Sequence, residues 1–274
     1  MDFTPGDSQQ AVVTLAAEVL AAADPWKELA QAGLLDVSPP DGLSVLDTTA
    51  LLTEIGRHAP QLAMKALATL MTGALALAQW GNDDLKRTYL PAVASGEIIL
   101  TAAIREAPLA RDAALILVPV SGGVALVAPG SDDITLTRLP TSSGYPAFIL
   151  QLDHASANPM LGGPDCRAGL ENLAVAGACA LMDGAVAGAL ALTREHVATR
   201  HQFGRPLAAF QAVSQQIADV YIAARTMHLA TLSACWRLSE GRDPGADLAV
   251  AGYWCAQQAS QAVRLCHHLH GGLG

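Results

Sequence analysis

The stretch that decides the fold is Arg-His-Gln-Phe-Gly-Arg-Pro-Leu-Ala-Ala-Phe-Gln, residues 200–211. It lies between two segments with helical patterns. Before it, the chain reads as helical from Gly169, and after a loop at 240–245 a further helix is expected over about 247–269. Apolar residues at alternating spacings of three and four also predict one long packed helix directly after the stretch; they are Phe210, Val213, Ile217, Val220, Ala224 and Met227. The region 166–274 is therefore predicted to be a helical bundle.

The first 98 residues also predict helices. Alanine and leucine dominate there, and breaks at 24–25, 38–40, 58–60 and 90–91, each of which contains proline, leave helix-sized segments between them. Residues 46–57 and 62–80 read as helices. One apolar face of a first helix is predicted from its spacing; its members are Val12, Leu15, Val19 and Ala22.

The sequence pattern in the middle of the chain, 99–165, predicts a small antiparallel sheet. Four short runs rich in β-branched and aliphatic residues, at 115–120, 123–127, 134–139 and 147–152, are separated by Gly, Pro, Ser and Asp. Gly122 and Gly123 suit a tight hairpin between the first two runs. The predicted order is an α-helical domain (1–98), a β domain (99–165) and a helical bundle (166–274).

Composition indicates that much of the surface is covered by other chains. Of 274 residues, 51% are hydrophobic and only 15% are charged, against about 25% in typical soluble domains. The most apolar stretch by inspection, 63–80, is rich in alanine and contains Lys65, so it does not predict a membrane span. The start of the chain does not resemble a signal peptide, and a net charge of −9 argues against nucleic acid as a partner. We expect a cytoplasmic oligomer.

Three segments, in this order, resemble acyl-CoA dehydrogenases. Residues 89–97 (Tyr-Leu-Pro-Ala-Val-Ala-Ser-Gly-Glu) are similar to the family's junction between helices and β domain. Residues 200–211 resemble its R-x-x-F-G-x-x-x-x-x-x-Q signature, and residues 268–274 resemble its Q-x-x-G-G-x-G segment, with His268 in place of Gln. The resemblance implies a mainly α fold with an N-terminal helical domain, a middle antiparallel β domain and a C-terminal four-helix bundle.

The resemblance also implies that FAD lies at a subunit interface. A guanidinium meets phosphate oxygens through a forked pair of hydrogen bonds, which suits Arg200 to the flavin pyrophosphate. The implied cofactor-binding residues are Arg200, Gln202, Phe203, Gln211, His268, Gly271 and Gly272. Each residue taken alone has a plainer explanation: a surface charge for Arg200, a solvated helix residue for Gln211, and a helix stop for the two glycines.

The catalytic base of the family is missing from the position where the resemblance places it. That base is a glutamate, which takes the α-proton of an acyl-CoA while a hydride leaves the β-carbon for the flavin. One of its two locations in the family corresponds to Ala174, and the other would follow Gly274. Glu171, three residues earlier, is a weak candidate that better fits a helix N-terminal charge, and Asp183 is expected to face elsewhere. We therefore expect no catalytic residue in this chain.

The β domain is expected to be shortened. The family's loop after its first strand reads roughly T-E-P-x-x-G-S-D, and residues 103–108 here read Ala-Ile-Arg-Glu-Ala-Pro. Either this subunit has lost its own flavin pocket or the sequence omits loops. These losses are similar to those of the base-less subunit of actinobacterial α2β2 dehydrogenases that degrade steroid side chains.

That subfamily implies a catalytic partner chain, an acyl-CoA substrate and an acceptor of the electron-transfer flavoprotein type. Two alternatives stay open: a degenerate scaffold or regulatory subunit without flavin, and a homo-oligomeric oxidase or monooxygenase of the same fold. Three histidines, at 267, 268 and 270, are expected to diverge rather than bind a metal.

Overall fold

The structure is a computed structural model and describes residues 4–142, 144–152 and 160–273. The first three residues of the chain and Gly274, the last residue of the predicted glycine segment, lie outside the described residues. Six α-helices precede the sheets in the described part: α1 (Asp7–Val19), α2 (Pro25–Gln31), α3 (Val45–His58), α4 (Ala63–Ala66), α5 (Leu75–Trp80) and α6 (Asp83–Ala94).

The helices predicted at 46–57 and 62–80 are confirmed. A 3-10 turn at Pro60–Leu62 and a π-helical segment at Leu67–Ala74 join α4 and α5 into one helical run from 60 to 80. The predicted face of the first helix is wrong in part. Val12 is buried, but Leu15 is 36% exposed and α1 ends before Ala22. The buried positions of α1 are Val12 and Ala16, a spacing of four, because this ridge faces the core beside α3.

All four predicted strands are present. The strands between the helical regions are β1 (Leu100–Ala102), β2 (Ala107–Pro108), β3 (Leu115–Val120), β4 (Gly123–Val127), β5 (Ile134–Leu139), β6 (Ala147–Leu152) and β7 (Met160–Gly162). They form one sheet in the order β1-β3-β4-β7 and a second in the order β2-β6-β5. The expectation of a purely antiparallel domain is wrong at one pair, because β1 and β3 are parallel. The chain passes through β2 in the other sheet between them and so returns in the same direction.

Three long helices follow the sheets in the described residues. They are α7 (Gly163–Thr199), α8 (Gln211–Ser239) and α9 (Gly245–Leu269), and a 3-10 turn (Gly271–Leu273) comes after α9. The helix expected from Gly169 thus begins six residues earlier, and α3 of the N-terminal region packs along α7. A mainly helical chain with a small β region is confirmed. The predicted domain limits at 98 and 165 stay predictions.

Two helical segments are long and apolar enough to cross a membrane by length and composition. They are Pro60–Trp80 and Asp165–Thr199, and the second, not the first, is the more apolar. Within their apolar windows, 67% and 61% of the residues are buried inside the protein. This is the pattern of core helices, because both segments contribute to the main hydrophobic cluster that joins the N-terminal helices, the sheet with β3 and the C-terminal helices.

The contact between α3 and α7 is close enough to exclude side chains. Gly56 of α3 and Gly184 and Gly188 of α7 are buried where the two helices meet. A Cβ atom at position 184 would overlap the backbone carbonyl oxygen of Thr53. Because that neighbour is backbone, it cannot turn aside as a side chain could.

Gly184→Ala should therefore destabilise the protein. We expect a loss of about 1–3 kcal/mol, which corresponds to a fall in Tm of roughly 2–4 °C per kcal/mol for a chain of this size. The matched control is Gly252→Ala in α9, where the added Cβ would meet its nearest atom at 4.0 Å. The control should keep or raise Tm, because alanine favours helix over glycine by about 0.5–1 kcal/mol. Equal melting of the two variants would contradict this account of the α3–α7 contact.

Candidate FAD site

The motif at 200–211 forms the reversal between α7 and α8. Arg200 caps α7 with extended backbone, and its N–H donates to the carbonyl of His196 at 2.8 Å. A short β-hairpin with a two-residue turn follows, formed by β8 (His201–Gln202) and β9 (Arg205–Pro206). The N–H of Leu207 then donates to the carbonyl of Arg200 at 2.9 Å and closes the reversal. This short hairpin brings Arg200 and Gln211, the first residue of α8, to the same end of the helix pair.

Phe203 and Gly204 form the tip of this hairpin, and both have positive φ, 53° and 81°. A two-residue turn with both central residues in the left-handed region is a type I′ turn, which favours glycine or asparagine. Holding a phenylalanine there costs about 1–3 kcal/mol. Phe203 is 91% exposed, and its ring makes a T-shaped contact with Phe210 at 6.2 Å between centroids. The Arg205 guanidinium lies 4.0 Å from the centre of the Phe210 ring. A strained and exposed aromatic ring indicates a surface that another molecule covers.

The end of α9 lies beside the last turns of α7. His270 stacks on His196 of α7 with 4.3 Å between ring centroids and 21° between planes. Burial, with His196 and His267 as neighbours, lowers the pKa of His270 below its usual value. Gly271 follows with a φ of 67°, a left-handed conformation that ends α9 and that glycine adopts without strain. Gly271 therefore does act as a helix stop, and Gly272 after it is exposed to solvent.

All seven predicted cofactor residues lie at one end of the C-terminal helices, and all seven are exposed. The hairpin carries Gln202 and Phe203, and Arg200 and Gln211 flank it. His268, Gly271 and Gly272 lie within two residues of His270, which stacks on His196 of α7. In the described part of the chain, the guanidinium of Arg200 makes no ion pair or hydrogen bond, whereas Arg237 and Arg57 are paired with carboxylates. An open groove of about 620 Å³ between α7 and α8 continues from this end, lined among others by Arg194, Ala208 and Ser214.

This arrangement fits a flavin pyrophosphate. The dianion needs a fixed cation and exposed N–H donors, and an unpaired guanidinium at the end of α7 and a glycine turn at the end of α9 are suited to provide them. Whether the seven residues contact FAD stays a prediction.

The position where the resemblance places the catalytic glutamate is an alanine, which has no carboxylate. Ala174 is half-buried on α7. Glu171 forms an ion pair with Arg167, Oε1 to Nε at 3.1 Å, and both side chains are about half exposed. Asp183 is buried and accepts a hydrogen bond from Nδ1 of His228 at 2.9 Å. Glu171 therefore has the surroundings of a surface ion pair, and Asp183 belongs to a buried contact between α7 and α8.

The loop at 103–113, expected to be shortened, folds as a closed turn, and its shortening stays a prediction. Ala107 and Pro108 pair with β6, and the N–H of Leu109, with a φ of 58°, donates to the carbonyl of Pro146 at 2.8 Å. The buried hydroxyl of Thr101 donates to the carbonyl of Pro108 at 2.7 Å. Leu109 and Ala110 are buried beneath the turn. The short connection is thus held by these hydrogen bonds, and its own side chains at 109 and 110 are buried.

Sequence reasoning missed two side-chain contacts of α7, one at the candidate site and one farther toward the start of the helix. The stacking of His270 on His196 was not predicted, although Thr193 and His196 recur at helical spacing on α7 and Arg200 caps that helix. The pairing of Asp183 with His228 joins residues 45 positions apart, for which the sequence contains no local signal.

Comparisons with known proteins agree with this architecture. Residues 9–97 match the family description "Acyl-CoA dehydrogenase, N-terminal domain" and residues 170–274 match "Acyl-CoA dehydrogenase, C-terminal domain". The chain therefore belongs to the acyl-CoA dehydrogenase family. One relative, acyl-CoA dehydrogenase FadE28 of Mycobacterium tuberculosis, is 38% identical over 306 aligned positions, which cover 100% of this chain and 89% of FadE28. Since this chain has 274 residues, at least 32 of those positions have no counterpart here.

Two solved structures are similar along almost the whole chain. One is the Tcur3481-Tcur3483 steroid ACAD G363A variant, with a TM-score of 0.86, 28% identity, and coverage of 98% of this chain and 88% of that one. The other is the ChsE4-ChsE5 complex from Mycobacterium tuberculosis, with a TM-score of 0.85, 29% identity, and coverage of 100% and 89%. The predicted family and fold are confirmed, and with them FAD as the cofactor of the family.

Arg200→Ala should weaken FAD binding. It removes a charge-assisted contact of a class worth about 1.5–3 kcal/mol, so the Kd for FAD should rise by roughly ten- to a hundredfold. Arg200→Lys should recover only part of the loss, because an ammonium lacks the planar fork. The measurement is titration of the flavin-free protein, assembled with its partner chain, by flavin fluorescence.

The control is Arg225→Ala, an exposed arginine of α8 outside the motif. Full FAD affinity in Arg200→Ala, with a loss in Arg225→Ala, would show that the site is misplaced.

Proposed function

We propose that this chain is the base-less subunit of a two-chain, FAD-dependent acyl-CoA dehydrogenase with α2β2 composition. FAD lies between this chain and a partner that supplies the catalytic glutamate. The substrate is an acyl-CoA thioester, with a steroid side chain as the acyl group. The observation that carries the proposal is Ala174, which stands at the expected base position in a chain whose cofactor signature is otherwise present and exposed.

The exposed groups support a partner at the signature end. Phe203 is 91% exposed at the hairpin tip, and Leu192, in the last third of α7, is 66% exposed. Low overall charge and exposed apolar side chains are typical of chains that bury a large interface. The two similar structures, one named as a steroid ACAD and one as a ChsE4-ChsE5 complex, support the substrate class and the mixed assembly.

The proposed division of roles follows from the residues. FAD, when bound, accepts the hydride that leaves the β-carbon of the thioester. Arg200 neutralises the pyrophosphate, and the backbone N–H groups at Gly271 and Gly272 donate to it. Phe203 covers the cofactor or the partner surface beside it and excludes water. The electron acceptor is of the electron-transfer flavoprotein type, and the complex works in the cytoplasm.

A second candidate function is a scaffold or regulatory subunit that holds no flavin. The observation that favours it is the closed turn at 107–113, because its interior is filled by Leu109 and Ala110 rather than left open for a ring. The two functions differ in a simple observation. In the complex obtained by co-expression with a neighbouring dehydrogenase gene, Arg200→Ala should lower the flavin content under the first proposal and leave it unchanged under the second.

Glu171→Gln tests whether this chain supplies the base. We expect turnover of the complex to stay within a few-fold of the unmodified enzyme, because Glu171 is committed to Arg167 at the surface. Loss of a general base costs on the order of 10²–10⁴ in rate. A loss of that size with unchanged FAD content would make this chain catalytic. Glu18→Gln, at an exposed position of α1, is the control for a simple change of surface charge.

The FAD content of the complex tests whether this chain has its own flavin pocket. We expect one FAD for each pair of chains, because the closed turn replaces the loop that would contact a second flavin ring. The measurement combines flavin absorbance after denaturation with the protein concentration of each chain. One FAD per chain would contradict the proposed loss, and the chain expressed alone should hold no flavin.

A further inference from the structure

A contact between α7 and α9 fixes the two halves of the candidate site relative to each other. Thr193 of α7 is 1% exposed, and its Oγ1 donates a hydrogen bond to the carbonyl of Ala189 at 2.7 Å. The same Oγ1 lies 3.3 Å from Nε2 of His270. A threonine hydroxyl has only one proton. Since that proton goes to Ala189, Oγ1 is left as an acceptor, and we assign Nε2 of His270 as the donor in the second contact.

The other side of this contact is the stack of His270 on His196. His196 lies one helical turn after Thr193, so both side chains leave α7 on neighbouring positions of one face. Thr193 binds the edge of the His270 ring, and His196 covers its plane. The ring is thus held in position and in orientation by two independent contacts, one polar and one through stacking.

The contact lies directly between the predicted cofactor residues. Arg200 follows His196 by four residues and caps α7, because its backbone N–H donates to the carbonyl of His196. Gly271 follows His270 immediately and begins the 3-10 turn that includes Gly272. A rotation or slide of α9 along α7 would therefore change the distance between the Arg200 guanidinium and the glycine turn. Two donors that act on one pyrophosphate must keep a fixed separation to bind it without reorganisation.

We propose that His270 is a positioning residue, held by Thr193 and His196, that sets the Gly271–Gly272 turn at the correct distance from Arg200 for both to meet the same dianion. This inference rests on the proposed flavin site. His270 itself acts through the turn that follows it. This positioning role requires three things: a hydrogen-bond donor at Nε2 of His270, an acceptor at the Thr193 hydroxyl, and an aromatic ring at position 270 that stacks on His196.

The test separates these three requirements in the assembled two-chain complex. Thr193→Val keeps the shape of the side chain and removes the acceptor, His270→Phe keeps the stack and removes the donor, and His270→Gln keeps a donor and removes the stack. Each should raise the Kd for FAD by roughly three- to tenfold, the effect of losing one hydrogen bond or a contact of similar strength. Thr193→Ser, which keeps the hydroxyl, should restore most of the affinity.

The double variant Thr193→Val with His270→Phe should bind FAD about as well as His270→Phe alone, because both changes remove the same bond. The matched control is Thr226→Val in α8, where the hydroxyl makes the same kind of bond to the carbonyl four residues earlier, at 2.9 Å. Its Kd should be unchanged. Melting of the flavin-free complex is recorded in parallel, since a purely structural role would lower Tm in the absence of FAD and leave the Kd as it was.

The outcomes distinguish this inference from the proposed function. If Arg200→Ala weakens FAD binding while Thr193→Val and His270→Phe bind FAD normally, the site is correct and the positioning role is wrong. If none of these variants, Arg200→Ala included, changes the Kd, the flavin site itself is wrong. A loss in both Thr193→Val and His270→Phe, rescue by Thr193→Ser and no effect of Thr226→Val would together support the positioning role.

Discussion

The close contact of α3 with α7 is the constraint on which the rest of the structure depends. At 37 residues and about 1.5 Å per residue, α7 is roughly 55 Å long. Its middle is fixed to the N-terminal helices through buried glycines, where backbone meets backbone and dispersion contacts are dense. Near its start α7 also contacts β4 and β7. The far end, which carries Thr193, His196 and Arg200, is therefore held in place by packing that has no part in the site itself.

The candidate site is built from two local structures added to that end. One is the type I′ hairpin, which stores strain in the backbone of Phe203 and presents its ring to solvent. The other is the histidine contact, which brings the end of α9 against α7. Neither structure lies in the β domain. The loop at 107–113 instead packs Ala107 and Ala110 into the smaller hydrophobic cluster, whereas α7, α8 and α9 contribute to the main one.

Sequence alone predicted the elements better than the contacts between them. The long helices and the four β-rich runs follow from periods of 3.6 and 2, and periodicity is a local property that the sequence contains directly. The parallel pairing of β1 with β3 could not be predicted, because β1 is three residues long and its direction depends on a crossover through the other sheet. The error at Leu15 has a similar cause: two apolar stripes on α1 are possible, and packing against α3 selects the one with Ala16.

For the candidate site, a resemblance located the residues, and physical reasoning explains why they can act together. The motif at 200–211 predicted an arginine free for a phosphate, and the structure leaves that guanidinium unpaired in the part of the chain it describes. The motif could not predict His270 as the link to the glycine turn, since the two histidines are 74 positions apart and stacking depends on the relative slide of α7 and α9. A contact between side chains of two helices can be recognised only once the positions of both helices are known.

Binding of a partner chain would stabilise a subunit with this arrangement. Its strained hairpin and exposed aromatic ring raise the free energy of the isolated subunit, and covering them with a second chain removes that disadvantage. A cofactor held between the chains adds to the effect by mass action, because a ligand that binds only the assembled state stabilises that state in proportion to its concentration above Kd. Under the proposed function, FAD binding and assembly are therefore one coupled equilibrium. Loss of the ring pocket in one chain removes a second, independent flavin site, and the remaining site is then built from both chains.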